Sequence, residues 1–335
     1  MGTSSRAARD FIDDALTDRR VVVPALLAIA LAVRCLHLDR SLWLDEGLSL
    51  HQAAALGRVD AQRPLYFLIL RLWMLTGRGE IWLRLPSVLF GVAGVGVLYA
   101  VGRRLAGSRA ALLAALFMAL SPALAWHAQE LRMYSLAPLL MLLSTLTLLR
   151  WFERGARSRL VVHAACAYLT LLCHPVNIFG VASMAAFAFA CLREQLDTPA
   201  RQRALRDLGA TYGALALLWL PFAFLSARHP EATAWLTRPG PGVLLTLHVW
   251  SFVRNFKGPW VRAILEPAVL TCLVAALLRA WRSSDRASTA VIPIAAWFYG
   301  PVAAIFSRSV LSRPCWILRF FTGYAPALFL TVAIG

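Results

Sequence analysis

Residues 83–104 read LRLPSVLFGVAGVGVLYAVGRR. Between Arg84 and the pair Arg103–Arg104 there is no charged side chain. At 1.5 Å per residue such a run crosses roughly 30 Å of hydrocarbon as one helix. No water in a bilayer core satisfies backbone N–H and C=O groups, so the run must close its own hydrogen bonds as a helix.

Outward from this stretch the same pattern repeats. Further spans are expected at about 21–38, 109–126, 134–151, 159–174, 176–192, 207–226, 263–280, 289–306 and 317–335, which with 83–102 makes about ten. Pro138, Pro221, Pro293 and Pro326 fall inside them and are read as kinks or helix starts. Of the 335 residues 59% are hydrophobic and 15% charged, with a mean hydropathy of +0.64. A soluble domain carries nearer a quarter of charged residues. The expected fold class is therefore an all-α integral membrane protein, with residues 1–20 a cytoplasmic segment and 21–335 one polytopic domain. The apolar run from Val21 lacks a small-residue cleavage site and reads as a signal-anchor helix.

The net charge of +17 does not point to nucleic acid, because its arginines come in small clusters between apolar spans and not as a patch on a soluble module. They set orientation instead. Arg19 and Arg20, Arg103, Arg104 and Arg109, Arg154, Arg157 and Arg159, Arg193 to Arg206, and Arg282 and Arg286 all fall on one side. The opposite short loops hold Arg132 in one case and no basic residue around His174–Pro175. Positive charge stays inside, so the N-terminus is expected in the cytoplasm and the long loops 39–82 and 227–262 outside. The first long loop carries two amphipathic pieces, about 43–57 and 64–76. The second, with Arg71 in its middle, is expected to lie in the interface. The six cysteines form no CxxC pair and no disulfide framework.

Polar residues gather at the outer ends of spans. Asp45 and Glu46 occur in SLWLDEGLS (41–49), and Glu130 in SPALAWHAQELRMYSL (121–136). A partly desolvated carboxylate there suits removal of a proton from a nucleophile. Asp45 serves equally as a helix N-cap, and Glu130 as the partner of Arg132 in a surface ion pair. Arg84, Arg132 and Arg319 lie at the same depth as a lipid phosphate, whose oxygens a guanidinium fork matches. Snorkelling to head groups is the competing reading, and it fits Arg71 and Arg78 better. His174 ends a span and reads first as a hydrogen-bonded core residue.

SLWLDEGLS, RPLYFLILRLW (63–73), RLPSVLFGVAGVGVLYAVGRRLAG (84–107), SPALAWHAQELRMYSL, LLCHPVNIF (171–179) and RPCWILRFFTGYAPALFL (313–330) together form an ordered set. Through them the chain resembles the GT-C superfamily of polyprenyl-phosphate-sugar-dependent glycosyltransferases. It is similar to glycosyltransferase family 39 and Rgt-like bacterial enzymes, and more distantly to the lipid A aminoarabinose transferase and protein O-mannosyltransferases. The resemblance implies a GT-C-type bundle in the bacterial inner membrane, with its active site on the outer face. It implies a polyprenyl-phosphate-linked sugar donor and an extracytoplasmic acceptor that is a lipid, glycan or protein. Asp45 maps onto the family's catalytic base, with Glu46 beside it and Glu130 lining the same site. Arg63, Tyr66, Arg84, Arg132, Tyr134, His174 and Arg319 then stand toward the donor phosphate or substrate. No cofactor is required, although two carboxylates near a phosphate could hold a divalent metal.

The chain departs from the family in two motifs. The usual His-Pro-Pro-Leu-Tyr is Gln62-Arg63-Pro64-Leu65-Tyr66, and a late Arg-Tyr is Arg319-Phe320, without the hydroxyl. Many relatives continue past the equivalent of Gly335 with further helices or a soluble tail. Two alternatives remain from the residues: a transporter or flippase of lipid-linked sugars, and an inactive subunit of the same fold. Coupled transporters place ionisable groups near the midplane, and these spans carry few.

Overall fold

A computed structural model describes residues 18–55, 63–195, 198–228, 235–253 and 259–335. Helices α1 (Arg19–Cys35), α2 (Leu44–Ala54), α3 (Pro64–Trp73), α4 (Glu80–Leu105), α5 (Ser108–Leu120), α6 (Pro122–Ala128) and α7 (Leu136–Arg154) come first. They are followed by α8 (Arg157–Cys173), α9 (Ile178–Gln195), α10 (Thr198–Arg228), α11 (Gly242–Val253), α12 (Pro259–Arg282), α13 (Arg286–Leu311) and α14 (Ala325–Ile334). No strand occurs among the described residues.

Each of the ten expected spans falls on helical structure, but not all of it is long. Among the described residues six helices are long and apolar enough to cross a membrane, and up to seven if the bent α5–α6 pair counts as one span. The expected spans at 21–38 and 159–174 correspond to helices of 17 residues each. The last, 317–335, divides into a short 3-10 turn at Leu318–Phe321 and the 10 residues of α14. The chain is thus a multi-pass helical membrane protein.

Helix α4 organises the first half, packing against α1, α5, α6 and α7. Gly107, at φ 86°, makes the tight turn into α5, a backbone angle that side-chain-bearing residues rarely adopt. The span expected at 109–126 is broken, with α5 and α6 bent by 58°. Pro122 has no N–H to donate and disfavours a helical Ser121, whose ψ is 114°. Four polar contacts support the break. The Ser121 hydroxyl accepts from Leu124 N at 3.2 Å and donates to Ser251 O at 2.7 Å. Arg34, wholly buried in α1, donates to the C=O groups of Met118 and Ala119 at 3.0 Å each. The guanidinium occupies a niche opened by Gly91, where a Cβ would sit 2.7 Å from Arg34 Nε and 2.8 Å from Ala128 Cβ.

The first long loop contains two helices, as expected at 43–57 and 64–76. Arg71 does not reach for lipid head groups, however; its Nη1 donates to Ala53 O and Ala54 O at 3.0 Å each, satisfying carbonyls at the end of α2. The second long loop contains α11. Its 12 residues are too short to cross a bilayer, and it packs on α6. The sequence offers Trp250, Asn255 and Lys257 of this loop for choice of acceptor, or the tryptophan as an interface anchor; Trp250 is buried, and Asn255 and Lys257 lie outside the described residues.

Candidate functional site

The site begins with the entry to α2. Trp43 occupies the N-cap position, so Asp45 is a first-turn residue and not the cap. The Glu46 carboxylate turns back toward the Trp43 N–H at 3.3 Å. Consecutive helical residues point about 100° apart, and the two acids part company here. Glu46 faces inward and takes a two-pronged contact from Arg84: Nε to Oε1 at 3.0 Å and Nη2 to Oε2 at 2.7 Å. Both side chains have 0% exposure. Arg84 also donates to Leu38 O at 2.7 Å and Arg40 O at 2.6 Å, and Glu46 accepts from Leu131 N at 3.1 Å. This buried pair ties α4, the exit of α1, the start of α2 and the segment after α6 into one knot. Such a pair is strongly destabilised when one partner goes, because the other is left charged and desolvated.

Asp45 faces the other way. Its Oδ2 accepts from Arg319 Nη1 at 2.9 Å and lies 3.5 Å from Arg132 Nη2. Ser49, one helical turn on, accepts from Arg132 Nη1 at 3.2 Å while donating to Asp45 O at 2.9 Å. Exposure decides access: Asp45 keeps 19%, Arg319 25% and Arg132 9%. The Nε atoms of Arg132 and Arg319 are buried with no hydrogen-bond partner among the described residues. The Tyr134 ring centroid lies 5.7 Å from the Arg319 guanidinium carbon. One carboxylate, two guanidinium groups with donors to spare and an aromatic face thus converge from segments near residues 45, 132 and 319.

His174 borders this cluster. Its Nδ1 accepts from Val176 N at 3.2 Å, which assigns the proton to Nε2, and its ring lies 4.5 Å from Phe320. Burial above all, then the charges of Arg63, Arg132 and Arg319, holds the imidazole well below its usual value, so it is neutral. Arg63 stands at the N-terminus of α3 on the same side.

Glu130 is buried beside the cluster, but not in contact with Arg132 as an ion pair. Its Oε1 accepts from Trp126 Nε1 at 2.5 Å and its Oε2 lies 2.9 Å from His127 Nδ1. Arg40 stacks over Trp126 at 3.8 Å and donates to Gln129 O at 3.1 Å. The His127 ring packs 5.2 Å from Tyr134, linking this second layer to Arg319.

The structure therefore brings together Asp45, Arg132, Tyr134 and Arg319, with His174 and Arg63 alongside. Three expectations are revised. Glu46 and Arg84 are not at the Asp45 cluster, because each is sealed against the other with 0% exposure. Tyr66 does not reach the site either: it is buried, its hydroxyl 2.7 Å from Ser87 Oγ. Ser49, His127, Arg40 and Arg34 went unnoticed. Ser49 was legible as the i+4 neighbour of Asp45, and Arg34 as a charge inside an expected span. The contacts of His127 and Arg40 depend on the bend at Pro122.

Among the described residues no group of three or more His, Cys, Asp or Glu could hold a metal. Asp45 and Glu46, the adjacent acids that could have shared a dication, are each engaged by arginine. The residues do not fit a metal bridging them.

Comparison with known proteins bears on the fold. The family model described as dolichyl-phosphate-mannose-protein mannosyltransferase matches residues 61–219, just under half of the chain. No curated protein matches the sequence. ArnT from Cupriavidus metallidurans in the apo state is similar with a TM-score of 0.63 and 20% identity, over 93% of this chain and 59% of ArnT. The same enzyme bound to undecaprenyl phosphate gives 0.62 at the same identity and coverage. Arabinosyltransferase EmbB from Mycobacterium smegmatis gives 0.59 at 16% identity, over 93% of this chain and 29% of EmbB. The chain thus spans less than two thirds of each of these relatives, and at such identities the likeness is one of fold.

Proposed function

We propose that this chain, which has the fold of the GT-C glycosyltransferase superfamily, transfers a sugar from a polyprenyl-phosphate donor to an acceptor outside the cytoplasmic membrane. The observation that carries the reading is the convergence of Arg319 and Arg132 on Asp45, at 2.9 and 3.5 Å. ArnT binds undecaprenyl phosphate in the same fold, which supports a donor of that chemistry.

In this reading a donor phosphate enters beside Arg132 and Arg319, whose Nε donors are unengaged, and draws guanidinium contacts from the carboxylate. Asp45 then has an oxygen free to accept a proton. The acceptor hydroxyl oxygen attacks the anomeric carbon, and the bond from that carbon to the phosphate oxygen breaks with inversion. The polyprenyl phosphate leaves with the electron pair, held by the two guanidinium groups as its charge develops. The hydroxyl proton passes to Asp45. Neutral His174 and Tyr134 stand beside these guanidinium groups. The orientation with the N-terminus in the cytoplasm sets this chemistry on the outer face of the bacterial inner membrane.

Charges elsewhere in the bundle do not favour a carrier. Arg34 is bonded to carbonyls. His163 is bonded to Ser144 Oγ at 2.9 Å and Tyr212 OH at 3.0 Å. Both are structural contacts between helices and form no path. The deciding experiment offers purified protein a radiolabelled polyprenyl-phosphate sugar and measures release and transfer of the sugar. Transfer that falls about 10²- to 10⁴-fold in Asp45→Asn, the usual worth of general-base help, supports the reading. Transfer by Asp45→Asn at the parent rate removes the base from the scheme, and absence of any sugar release removes the enzyme. Mass spectrometry of envelope glycans and lipids from a deletion strain and its complement identifies the acceptor.

A further inference from the structure

Helix α4 carries Arg84 at one end, in the knot beside Asp45, and Arg104 at the other. Twenty residues of helix separate them by about 30 Å, the thickness of a hydrocarbon core. At the Arg104 end lies a cleft of about 470 Å³ between the last turns of α4 and α7 and the first turns of α8. The left-handed Gly155, at φ 64°, turns the chain directly from α7 into α8 and so brings Arg150 and Arg154 beside Arg159.

Four arginines line this cleft, Arg104, Arg150, Arg154 and Arg159, with Glu153 as the acid among its lining residues and Thr147 and Ser158 on its wall. Glu153 lies 3.2 Å from Arg104 Nε. Arg159 Nη1 donates to Arg150 O at 2.8 Å, which secures the start of α8 against the end of α7. Arg150 and Arg154 pair with no carboxylate among the described residues, and both are exposed. The cleft therefore holds three positive charges beyond neutrality, at the depth where a bilayer presents phosphate.

We infer that this cleft, on the face opposite Asp45, binds the phosphate of an anionic phospholipid head group. A solvated arginine at a helix end needs no cavity, whereas here forks from three helices line one concave space that a glycerophosphate can enter. Planar guanidinium groups match phosphate oxygens in pairs, and basic pockets between helices at a membrane surface recognise anionic head groups in this way. The site is independent of sugar transfer: it would anchor the α4–α7–α8 end of the bundle in a negatively charged leaflet.

The test uses purified, delipidated protein offered phosphatidylglycerol or phosphatidylcholine, with bound lipid counted by native mass spectrometry. Phosphatidylglycerol should be retained in preference. The double variant Arg150→Gln, Arg154→Gln should bind it roughly thirtyfold more weakly, the loss expected for two head-group contacts. Arg282→Gln, an exposed arginine outside the cleft, should bind as the parent does. Circular dichroism and size-exclusion elution report folding, and Arg150→Lys with Arg154→Lys keeps the charge if the glutamine pair misfolds. That lysine pair should lose affinity only a few-fold. The proposal is overturned by equal retention of phosphatidylcholine, by unchanged binding in the glutamine variant, or by inorganic phosphate binding as tightly as the lipid.

Discussion

Asp45 and Glu46 are neighbours in the chain and chemically alike, yet they do opposite work. Glu46 is desolvated and doubly held by Arg84, whereas Asp45 keeps part of its surface open and is held by arginines that an anion can draw away. Two substitutions separate these roles. Glu46→Gln leaves the buried Arg84 charge unpaired, and thermal unfolding in detergent should show a loss of about 3–5 kcal/mol. Asp45→Asn should unfold at nearly the parent temperature while sugar transfer fails. A comparable loss of stability in both variants would mean that Asp45 is a structural ion-pair partner. From sequence the adjacent acids could not be told apart, because their directions depend on where α2 begins. Trp43, a poor capping type, takes the N-cap position through its surroundings.

The element that decides the site is the broken helix α5–α6. Its bend directs Trp126, His127 and Glu130 into a second layer, from which Arg132 emerges toward Asp45. Arg34 satisfies the carbonyls that the break exposes, and Gly91 gives it room. Arg34→Met should therefore cost about 1–3 kcal/mol for each carbonyl left unpaired, measured as a lower unfolding temperature with reduced transfer. Gly91→Ala crowds the same guanidinium and the neighbouring Ala128, and should cost about 1–3 kcal/mol by overpacking. Unchanged melting of both would show that the bend holds without the clamp. Pro122 is visible in the sequence, but a proline in a span reads equally as a gentle kink. The size of the bend follows from which groups catch the released carbonyls, and Arg34 lies more than eighty residues away.

At the scale of the molecule, the segments bearing Asp45, Arg132 and Arg319 meet at one end of the bundle, and the arginine-lined cleft lies at the other. Orientation can be checked directly through Cys35, an exposed thiol just past Arg34 on the Asp45 side. A membrane-impermeant maleimide should label it in intact cells, and Cys35→Ser should abolish the signal, since Cys173, Cys191 and Cys315 are buried and the partly exposed Cys166 and Cys272 lie within apolar helices that a charged reagent does not enter. Labelling that requires broken cells would invert the topology. The membrane class and the positions of most helices followed from sequence alone. Transfer of apolar side chains and of the backbone into hydrocarbon is a local cost, summed over some twenty consecutive residues. Which acid is sealed and which is open, where α5 breaks, that α11 forms in an outer loop, and that Arg319 reaches Asp45 across 274 positions were decided only by the tertiary structure. These depend on long-range pairing of buried polar groups, and no window of sequence contains both partners.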